Sequence, residues 1–220
     1  MSLLRWVSSH ALGALAEPGC AACEAPIPIE TVFCVPCAGT LVPHDGSPPR
    51  FGAPVEVAAF AYGGALRDAI GRFKYGRRDD LARPLGSLFL RTRPRVMALR
   101  PNVVVPVPSH PVRLALRTFE PSALLGRVLA HSLGAALVLD ALDKVRSTPA
   151  QAGLDRRARF GNLKGAFACA PSRVDVLRGA RVVLADDVRT TGATLAACTE
   201  ALRSCGAEVV GHVVLAAAMD

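Results

Sequence analysis

Apolar positions along the chain follow two alternating periods. Short runs rich in β-branched residues predict buried strands over residues 55–62, 103–107, 181–185 and 208–217, with weaker strand signals at 135–139 and 141–146. Apolar residues three and four apart predict helices over 65–75, 81–93, 122–133 and 194–205. This alternation predicts an α/β fold with a mostly parallel sheet flanked by helices, and such sheets bind ligands at the carboxyl ends of their strands.

The first fifty residues have a different pattern. Residues 3–16 carry apolar side chains at helical spacing and predict one amphipathic helix, and a cysteine-rich segment follows. Turn-forming residues then crowd between Val42 and Pro49. We therefore expect an N-terminal helix and cysteine module over residues 1–50, ending in a linker that separates its core from that of one main domain over 51–220.

Hydropathy and the N-terminal residues bear on the compartment. No apolar run reaches the roughly 18 uncharged residues of a membrane span. The segment before Cys20 reads Glu17-Pro18-Gly19 and lacks the small residues of a signal cleavage site. We expect a soluble cytoplasmic protein, in which paired cysteines indicate metal ligation before disulfides.

The cysteine module has the spacing of a structural metal site. Two Cys-x-x-Cys knuckles are separated by ten residues, and their four thiolates would complete a tetrahedral shell around Zn²⁺, leaving no open position for catalysis. A redox pair is the alternative. The other three cysteines, Cys169, Cys198 and Cys205, are interpreted as small core residues, and Cys169 has no cysteine near it in sequence. The predicted zinc ligands are Cys20, Cys23, Cys34 and Cys37.

The net charge of +8 favours an anionic partner. Basic residues are spread over 67–100, 113–127 and 156–164 with few aromatic residues between them, which gives weak support for base stacking on nucleic acid. An arginine-rich solvated surface is the alternative. The charge alone does not choose between nucleic acid, phosphorylated metabolites and acidic membrane surfaces.

Residues 182–194 carry the second chemical signal. An apolar strand delivers Asp186 and Asp187 to its carboxyl end, and a hydroxyl-rich turn with one glycine leads into a helix. Backbone N–H groups and Thr hydroxyls at the start of a helix suit a phosphate group, and two carboxylates suit the vicinal hydroxyls of a sugar. The pattern predicts a ribose 5-phosphate site, with an ordinary acidic turn and helix cap as the alternative. The predicted phosphate- and ribose-binding residues are Val188, Arg189, Thr190, Thr191, Gly192, Ala193 and Thr194.

The same segment resembles the phosphoribosyl pyrophosphate (PRPP) motif of type I phosphoribosyltransferases, and nearly the whole chain resembles the ComF family of competence-associated proteins. The cysteine knuckles match the zinc finger of that family. Residues 62–70 with Phe73-Lys74-Tyr75 and Gly76-Arg77 match the next block, and residues 151–154 with 157–167 match another. The resemblance implies a type I phosphoribosyltransferase-like domain behind an N-terminal zinc finger, and a role in natural transformation.

One block departs from the family pattern. Members usually carry an Arg-Gly-Phe-Asn-Gln run after the strand at 103–107, and here residues 117–121 read Arg-Thr-Phe-Glu-Pro. In transferases of this type the neighbouring loop holds pyrophosphate. The negative charge of Glu120 would repel that pyrophosphate, which argues against catalysis, whereas binding of the ribose phosphate half is less affected. The basic segment 156–164 lies where such enzymes have a closing flap, with a solvated loop as the alternative.

The resemblance implies two functions that the sequence leaves open. An active phosphoribosyltransferase, a glycosyltransferase-class enzyme, would use Mg²⁺ to bridge PRPP, with Asp186 and Asp187 as catalytic residues that position the ribose. A non-catalytic adaptor would use the same site for a nucleotide or single-stranded DNA. The implied partners are a phosphoribosyl ligand, single-stranded DNA and DNA-processing competence proteins.

Overall fold

The computed structural model describes residues 18–44, 51–76, 78–109, 119–146, 163 and 165–219. The predicted helix at 3–16 lies outside these residues, as does all of the basic segment 156–164 except Leu163. Within them, no helix is long and apolar enough to cross a membrane.

Five parallel strands form the central sheet. They are β1 (Val55–Ala61), β2 (Val103–Pro106), β3 (Ala136–Leu137), β6 (Arg181–Arg189) and β7 (Glu208–Ala217), in the spatial order β1-β7-β6-β2-β3. A separate antiparallel pair joins β4 (Leu142–Lys144) to β5 (Phe167–Cys169). The predicted α/β class with a parallel sheet is therefore confirmed.

Helices cover both faces of the sheet because each buries one apolar stripe. The described helices are α1 (Val35–Ala38), α2 (Gly64–Tyr75), α3 (Ala82–Phe89), α4 (Arg93–Ala98), α5 (Pro121–Leu133), α6 (Val174–Leu177) and α7 (Ala193–Ser204). Helices α2 and α5 bury Leu66, Phe73 and Leu125 in one hydrophobic cluster, and α7 buries Leu195 and Leu202 in a second.

The structure divides one predicted helix and adds elements that periodicity did not indicate. Residues 81–93 form α3 and then a 3₁₀ turn, Leu90–Thr92, because Pro94 lacks the N–H that a continuous helix needs. Pro94 lies instead in the first turn of α4, where that N–H is not needed. Strand β5, the 3₁₀ turn Pro171–Arg173 and α6 were not predicted, since segments of three or four residues are too short to show a period.

The cysteine module packs directly on the main domain. Cys20, Ala21 and Phe33 belong to the same buried cluster as Leu66 and Phe73 of α2. Val42 accepts a hydrogen bond from the Ala61 N–H (2.8 Å), so the segment after the module also pairs with edge strand β1. The expectation that a linker keeps the two cores apart differs from this packing, while the boundary near residue 50 stays a prediction.

Candidate functional site

Strands β2 and β6 form a topological switch point at the carboxyl edge of the sheet. The two strands are neighbours, but the chain leaves β2 toward β3 on one side and leaves β6 toward β7 on the other. Helix α5 after β2 and helix α7 after β6 belong to the two different hydrophobic clusters, so they cover opposite faces. Such a switch point opens a crevice outside the strand ends, where α/β sheets bind ligands.

Strand β6 continues further than the sequence predicted. It pairs with β2 as far as Ala185 and with β7 as far as Arg189, opposite Ala217. Asp186 and Asp187 therefore lie inside the strand, and the turn begins only at Thr190. The reason is tertiary: β7 supplies partners for four residues beyond the end of β2, which a local pattern does not reveal.

Of the two adjacent carboxylates, Asp187 is buried and forms an ion pair with a lysine, and Asp186 is half-buried. The Asp187 side chain is only 7% exposed, and its Oδ1 lies 2.7 Å from Nζ of Lys74 in α2, a side chain that is itself 20% exposed. Asp186 Oδ1 accepts a hydrogen bond from the Asp187 N–H (2.9 Å). Burial, reinforced by the Asp187 charge, raises the pKa of Asp186 well above its usual range.

Lys74 stays protonated because it faces two carboxylates. Burial lowers the pKa of Lys74, but the charges of Asp187 and Asp186 together outweigh that effect and raise it. Lys74 lies within residues 73–75, which match a block of the family pattern, but that pattern assigned it no role. A signal was present: Lys74 is one of only three lysines beside 23 arginines, and it follows directly on Phe73 of the buried stripe.

The turn after β6 leads straight into α7. Gly192 takes a left-handed backbone conformation (φ 78°), which favours glycine. As the residue before the helix, it offers no side chain to accept a hydrogen bond from the first N–H groups of α7. Thr190 is exposed, Thr191 and Thr194 are half-buried, and Ala193 is buried. The Ala193 N–H has only a long bond (3.4 Å) to Thr191 Oγ1. The first turn of a 12-residue helix thus faces the crevice edge with weakly engaged donors.

Arg189 is turned into the protein. It is 6% exposed, its Nε lies 3.6 Å from Oε2 of Glu56, and its guanidinium donates to the carbonyls of Thr190 and Ala218. These contacts hold the start of the turn, at Thr190, against the end of β7. Val188 is half-buried and packs against the hydrophobic cluster that contains Leu66 and Phe73.

The Glu120 carboxylate binds the hydrogen-bond donors of Ser109, which follows the end of β2. Its carboxylate accepts hydrogen bonds from the Ser109 N–H (2.8 Å) and the Ser109 hydroxyl, directly before α5. Its charge also contributes to the raised pKa of Asp186, which places it near the acidic pair. A carboxylate of the chain itself therefore lies where an anionic ligand would meet the end of β2.

The four predicted metal ligands converge. Their ligand atoms all lie within 4.8 Å of one another, and Cys23 Sγ is 3.6 Å from Cys34 Sγ. A tetrahedral zinc shell with bonds of about 2.3 Å separates its sulfurs by about 3.8 Å, so the set fits Zn²⁺. Burial raises the pKa of Cys20, but N–H groups of Cys23 and Cys34 lower it to about 6, as suits a thiolate ligand.

The three remaining cysteines all lie in or pack against the second hydrophobic cluster, but only Cys198 is fully buried. Cys198 is buried in the core as expected. Cys169 and Cys205 are half-buried, line one surface groove and contact each other through their thiols, so Cys169 has a near cysteine in space. The antiparallel pair β4–β5 brings Cys169 to the end of α7, and sequence distance concealed this.

Many arginines of the 67–100 region serve internal contacts. Arg72 and Arg78 bind Glu24, Arg95 donates to the Ala58 carbonyl (2.7 Å), and Arg93 donates to the Ser132 carbonyl (2.8 Å). Several guanidinium donors of this region are therefore already engaged within the chain, and Arg72 and Arg78 share the charge of one carboxylate. The basic residues at 113–117 and 156–159 lie outside the described residues.

Comparison with known proteins agrees with this geometry. A model of the phosphoribosyl transferase domain matches residues 122–220, which include β6, the turn and α7. The chain is 35% identical over 147 residues to DNA utilization protein YhgH of Salmonella typhi, covering 63% of this chain and 61% of that protein. It is 33% identical to competence protein F of Haemophilus influenzae over 145 residues, covering 64% of this chain and 63% of that protein.

A longer match is found in Escherichia coli K12. Its DNA utilization protein YhgH is 33% identical over 168 residues, which cover 74% of this chain and 71% of that protein. The chain spans about three fifths of the length of the Salmonella and Haemophilus relatives. The cysteine cluster, the parallel sheet with the phosphoribosyl transferase match and these relatives together show that the chain belongs to the ComF family of competence-associated proteins.

Proposed function

We propose that the crevice between β2 and β6 binds a ribose 5-phosphate group. The observation that carries the proposal is the juxtaposition of opposite chemistries along one strand end: the carboxylates of half-buried Asp186 and buried Asp187 and, three residues further, the turn into α7. The N–H groups and hydroxyls of Thr190, Thr191 and Thr194 suit the phosphate. The carboxylates suit the ribose hydroxyls as hydrogen-bond acceptors.

Two metals belong to this proposal. Zn²⁺ fits the closed set of four thiolates and would stabilise the module without entering the chemistry. Mg²⁺ fits the ribose phosphate side only as part of a ligand complex, because it is usually held by one or two carboxylates together with substrate phosphates. Among the described residues the four cysteines are the only convergent group of three or more His, Cys, Asp or Glu ligands.

The relatives favour a role in handling DNA. Their names refer to DNA utilization and to competence, and we infer that this chain acts in DNA uptake, with single-stranded DNA and DNA-processing competence proteins as partners. The ribose 5-phosphate group would then belong to PRPP or to a nucleotide. A transferase would attach an acceptor at the anomeric carbon of the ribose, with Asp186 and Asp187 orienting the sugar.

Glu120 supports the second candidate, a binding protein without transferase activity. A pyrophosphate group adds two phosphates on the side where Glu120 already bonds to Ser109, and like charges in a desolvated site repel. The ribose phosphate half is free of this conflict. A nucleotide or the end of a single strand would then be the ligand.

Two assays separate the candidates. Release of pyrophosphate from PRPP and Mg²⁺, measured over a panel of acceptor bases, supports the transferase, and its absence with retained ribose 5-phosphate binding supports the adaptor. Competition by 5′-phosphorylated single-stranded DNA at several salt concentrations tests the DNA ligand, since phosphate contacts weaken steeply with salt. Failure of ribose 5-phosphate to bind at all would refute both.

A further inference from the structure

The cysteine module contacts helix α2 at its first turn. Thr40, three residues after Cys37, donates its hydroxyl to the Cys37 carbonyl (2.8 Å) and accepts the N–H of Ala65 (2.9 Å). Gly64 allows this approach, because its φ is +50° and a Cβ there would lie 2.7 Å from Thr40 Oγ1. The hydroxyl thus caps α2 from outside the helix and joins it to a residue of the metal cluster.

The same module contacts the other end of α2. Glu24, which follows Cys23 with a positive φ of 65°, accepts hydrogen bonds from Arg72 in the last turn and from Arg78 (3.1 Å) just beyond it. These ion pairs are well exposed, so each contributes little stability by itself. Buried contacts of the module with Leu66 and Phe73 in the shared cluster provide the larger apolar part of the interface.

Lys74 lies on the helix that these contacts hold. It comes two residues after Arg72 and directly after the fully buried Phe73, and it reaches the site as the partner of Asp187. A shift of α2 along or about its axis would therefore move the ammonium group away from the acidic pair. One helix links the metal cluster to the candidate ligand site.

We propose that the four-cysteine module controls the ligand site by positioning Lys74 through α2. Thr40 and Glu24 are positioning residues in this scheme, and Lys74 is the group on which they act. The effect on ligand affinity rests on the ribose 5-phosphate function proposed above, whereas the effect on Lys74 itself does not depend on any ligand.

Lysine acylation tests the ligand-independent part. The chain has three lysines, Lys74, Lys144 and Lys164, and Lys144 serves as the internal reference because it lies over the Phe167 ring, away from α2. Labelling with an N-hydroxysuccinimide ester, followed by mass spectrometry, gives the ratio of Lys74 to Lys144 modification. Loss of one hydrogen bond of about 1 kcal/mol in Thr40→Val should raise this ratio about fivefold.

Thr31→Val is the matched control. Thr31 is an exposed residue of the same module, and its hydroxyl donates to the Pro28 carbonyl (2.9 Å), a bond that stays within the module. We expect the control to leave the labelling ratio unchanged and metal chelation to raise it as Thr40→Val does, with thermal melts confirming that the domain stays folded. Equal ratios in Thr40→Val and Thr31→Val would overturn the proposal.

A thermodynamic cycle tests the ligand part. If Thr40 acts through Lys74, Thr40→Val should change the affinity for ribose 5-phosphate in the wild-type background and have no effect in a Lys74→Met background. The same change in both backgrounds would show a merely structural role and contradict the proposal. If the wild-type protein does not bind ribose 5-phosphate, the proposed function fails, and the acylation ratios still decide whether the module positions Lys74.

Discussion

At the residue scale, the types of side chain in the motif could be predicted, and their partners could not. The sequence singled out Asp186 and Asp187 because a hydroxyl-rich turn and a helix follow the two carboxylates in order, and their role in binding ribose stays a prediction. It did not identify Lys74, which lies more than 100 residues earlier and reaches Asp187 only through the packing of α2 on the sheet. It also placed Arg189 among the ligand-binding residues, whereas its observed contacts are with Glu56 and backbone carbonyls.

The Thr191 hydroxyl provides a first test at this scale. Thr191→Val keeps the shape of the side chain and removes the hydroxyl expected to meet the phosphate. A hydrogen bond to a charged group is worth about 1.5–3 kcal/mol, so ribose 5-phosphate affinity should fall roughly ten- to hundredfold. Thr194→Val is a second variant of the same turn, and Thr31→Val, outside the site, is the control. Unchanged affinity in a folded Thr191→Val protein would exclude this hydroxyl from the site.

Glu120 provides a test of ligand choice. Glu120→Gln removes the negative charge and keeps an acceptor for Ser109, so PRPP affinity should rise about tenfold while ribose 5-phosphate affinity stays nearly constant. The two ligands differ only in the pyrophosphate, which makes each the control for the other. Glu208→Gln, which removes an exposed partner of Arg181, should alter neither affinity. A parallel rise for both ligands would contradict the role given to Glu120.

At the scale of elements, the strands and helices with strong periodicity were predicted close to their observed bounds. Helix 194–205 is observed as Ala193–Ser204, and strand 208–217 agrees with β7. The end of β6 was missed because pairing with β7, not local composition, extends it to Arg189. Local patterns indicate which element forms, and neighbouring elements decide where it ends.

A buried histidine joins two of these elements and makes stability depend on pH. Nε2 of His212 in β7 lies 2.7 Å from Thr199 Oγ1 in α7. Burial lowers the pKa of His212 from 6.5 to about 4; the negative charge of Glu56 opposes this shift, and the positive charge of Arg203 adds to it. The unfolded chain therefore takes up a proton near pH 6.5, and the folded protein does so only near pH 4. Stability should fall by about 3 kcal/mol as the pH drops through this window.

Urea unfolding of variants isolates this contribution. His212→Gln removes the titrating group, so its loss of stability between about pH 7 and about pH 4.5 should be smaller than that of the wild type. His131→Gln, at an exposed position in the last turn of α5, should follow the wild-type profile. Identical profiles for His212→Gln and the wild type would assign the acid sensitivity to other groups.

At the scale of the whole molecule, the parallel sheet and the metal cluster could be predicted, and the packing between them could not. Spacing alone indicates that four cysteines can meet at one ion. It does not indicate that Cys20 and Phe33 share a buried cluster with α2 and the sheet, because such contacts depend on the folded positions of both parts. The structure therefore predicts that the cysteine module also stabilises the main domain.

Metal content and stability test this joint packing. We expect close to one zinc per chain, and we expect Cys34→Ser to lose the metal and lower the free energy of unfolding by about 2 kcal/mol or more, with the effect reaching the main domain. Cys169→Ser, at a half-buried cysteine outside the cluster, should retain the zinc. Metal-free wild-type protein would refute the zinc assignment. A main-domain melt unchanged in Cys34→Ser would show instead that the two cores are independent.

The most direct test of the central claim is a calorimetric titration of ribose 5-phosphate against the wild type, Asp186→Ala and the exposed control Asp175→Asn. Alanine suits this test better than asparagine, because an asparagine side chain would keep one oxygen acceptor for a ribose hydroxyl. Asp187 is left intact because it pairs with Lys74. Asp186→Ala should lose roughly tenfold or more in affinity for ribose 5-phosphate and little for 2-deoxyribose 5-phosphate, which lacks one hydroxyl of the diol. Absence of wild-type binding, or equal affinity of wild type and Asp186→Ala for ribose 5-phosphate, would contradict the assignment of this crevice as a ribose 5-phosphate site.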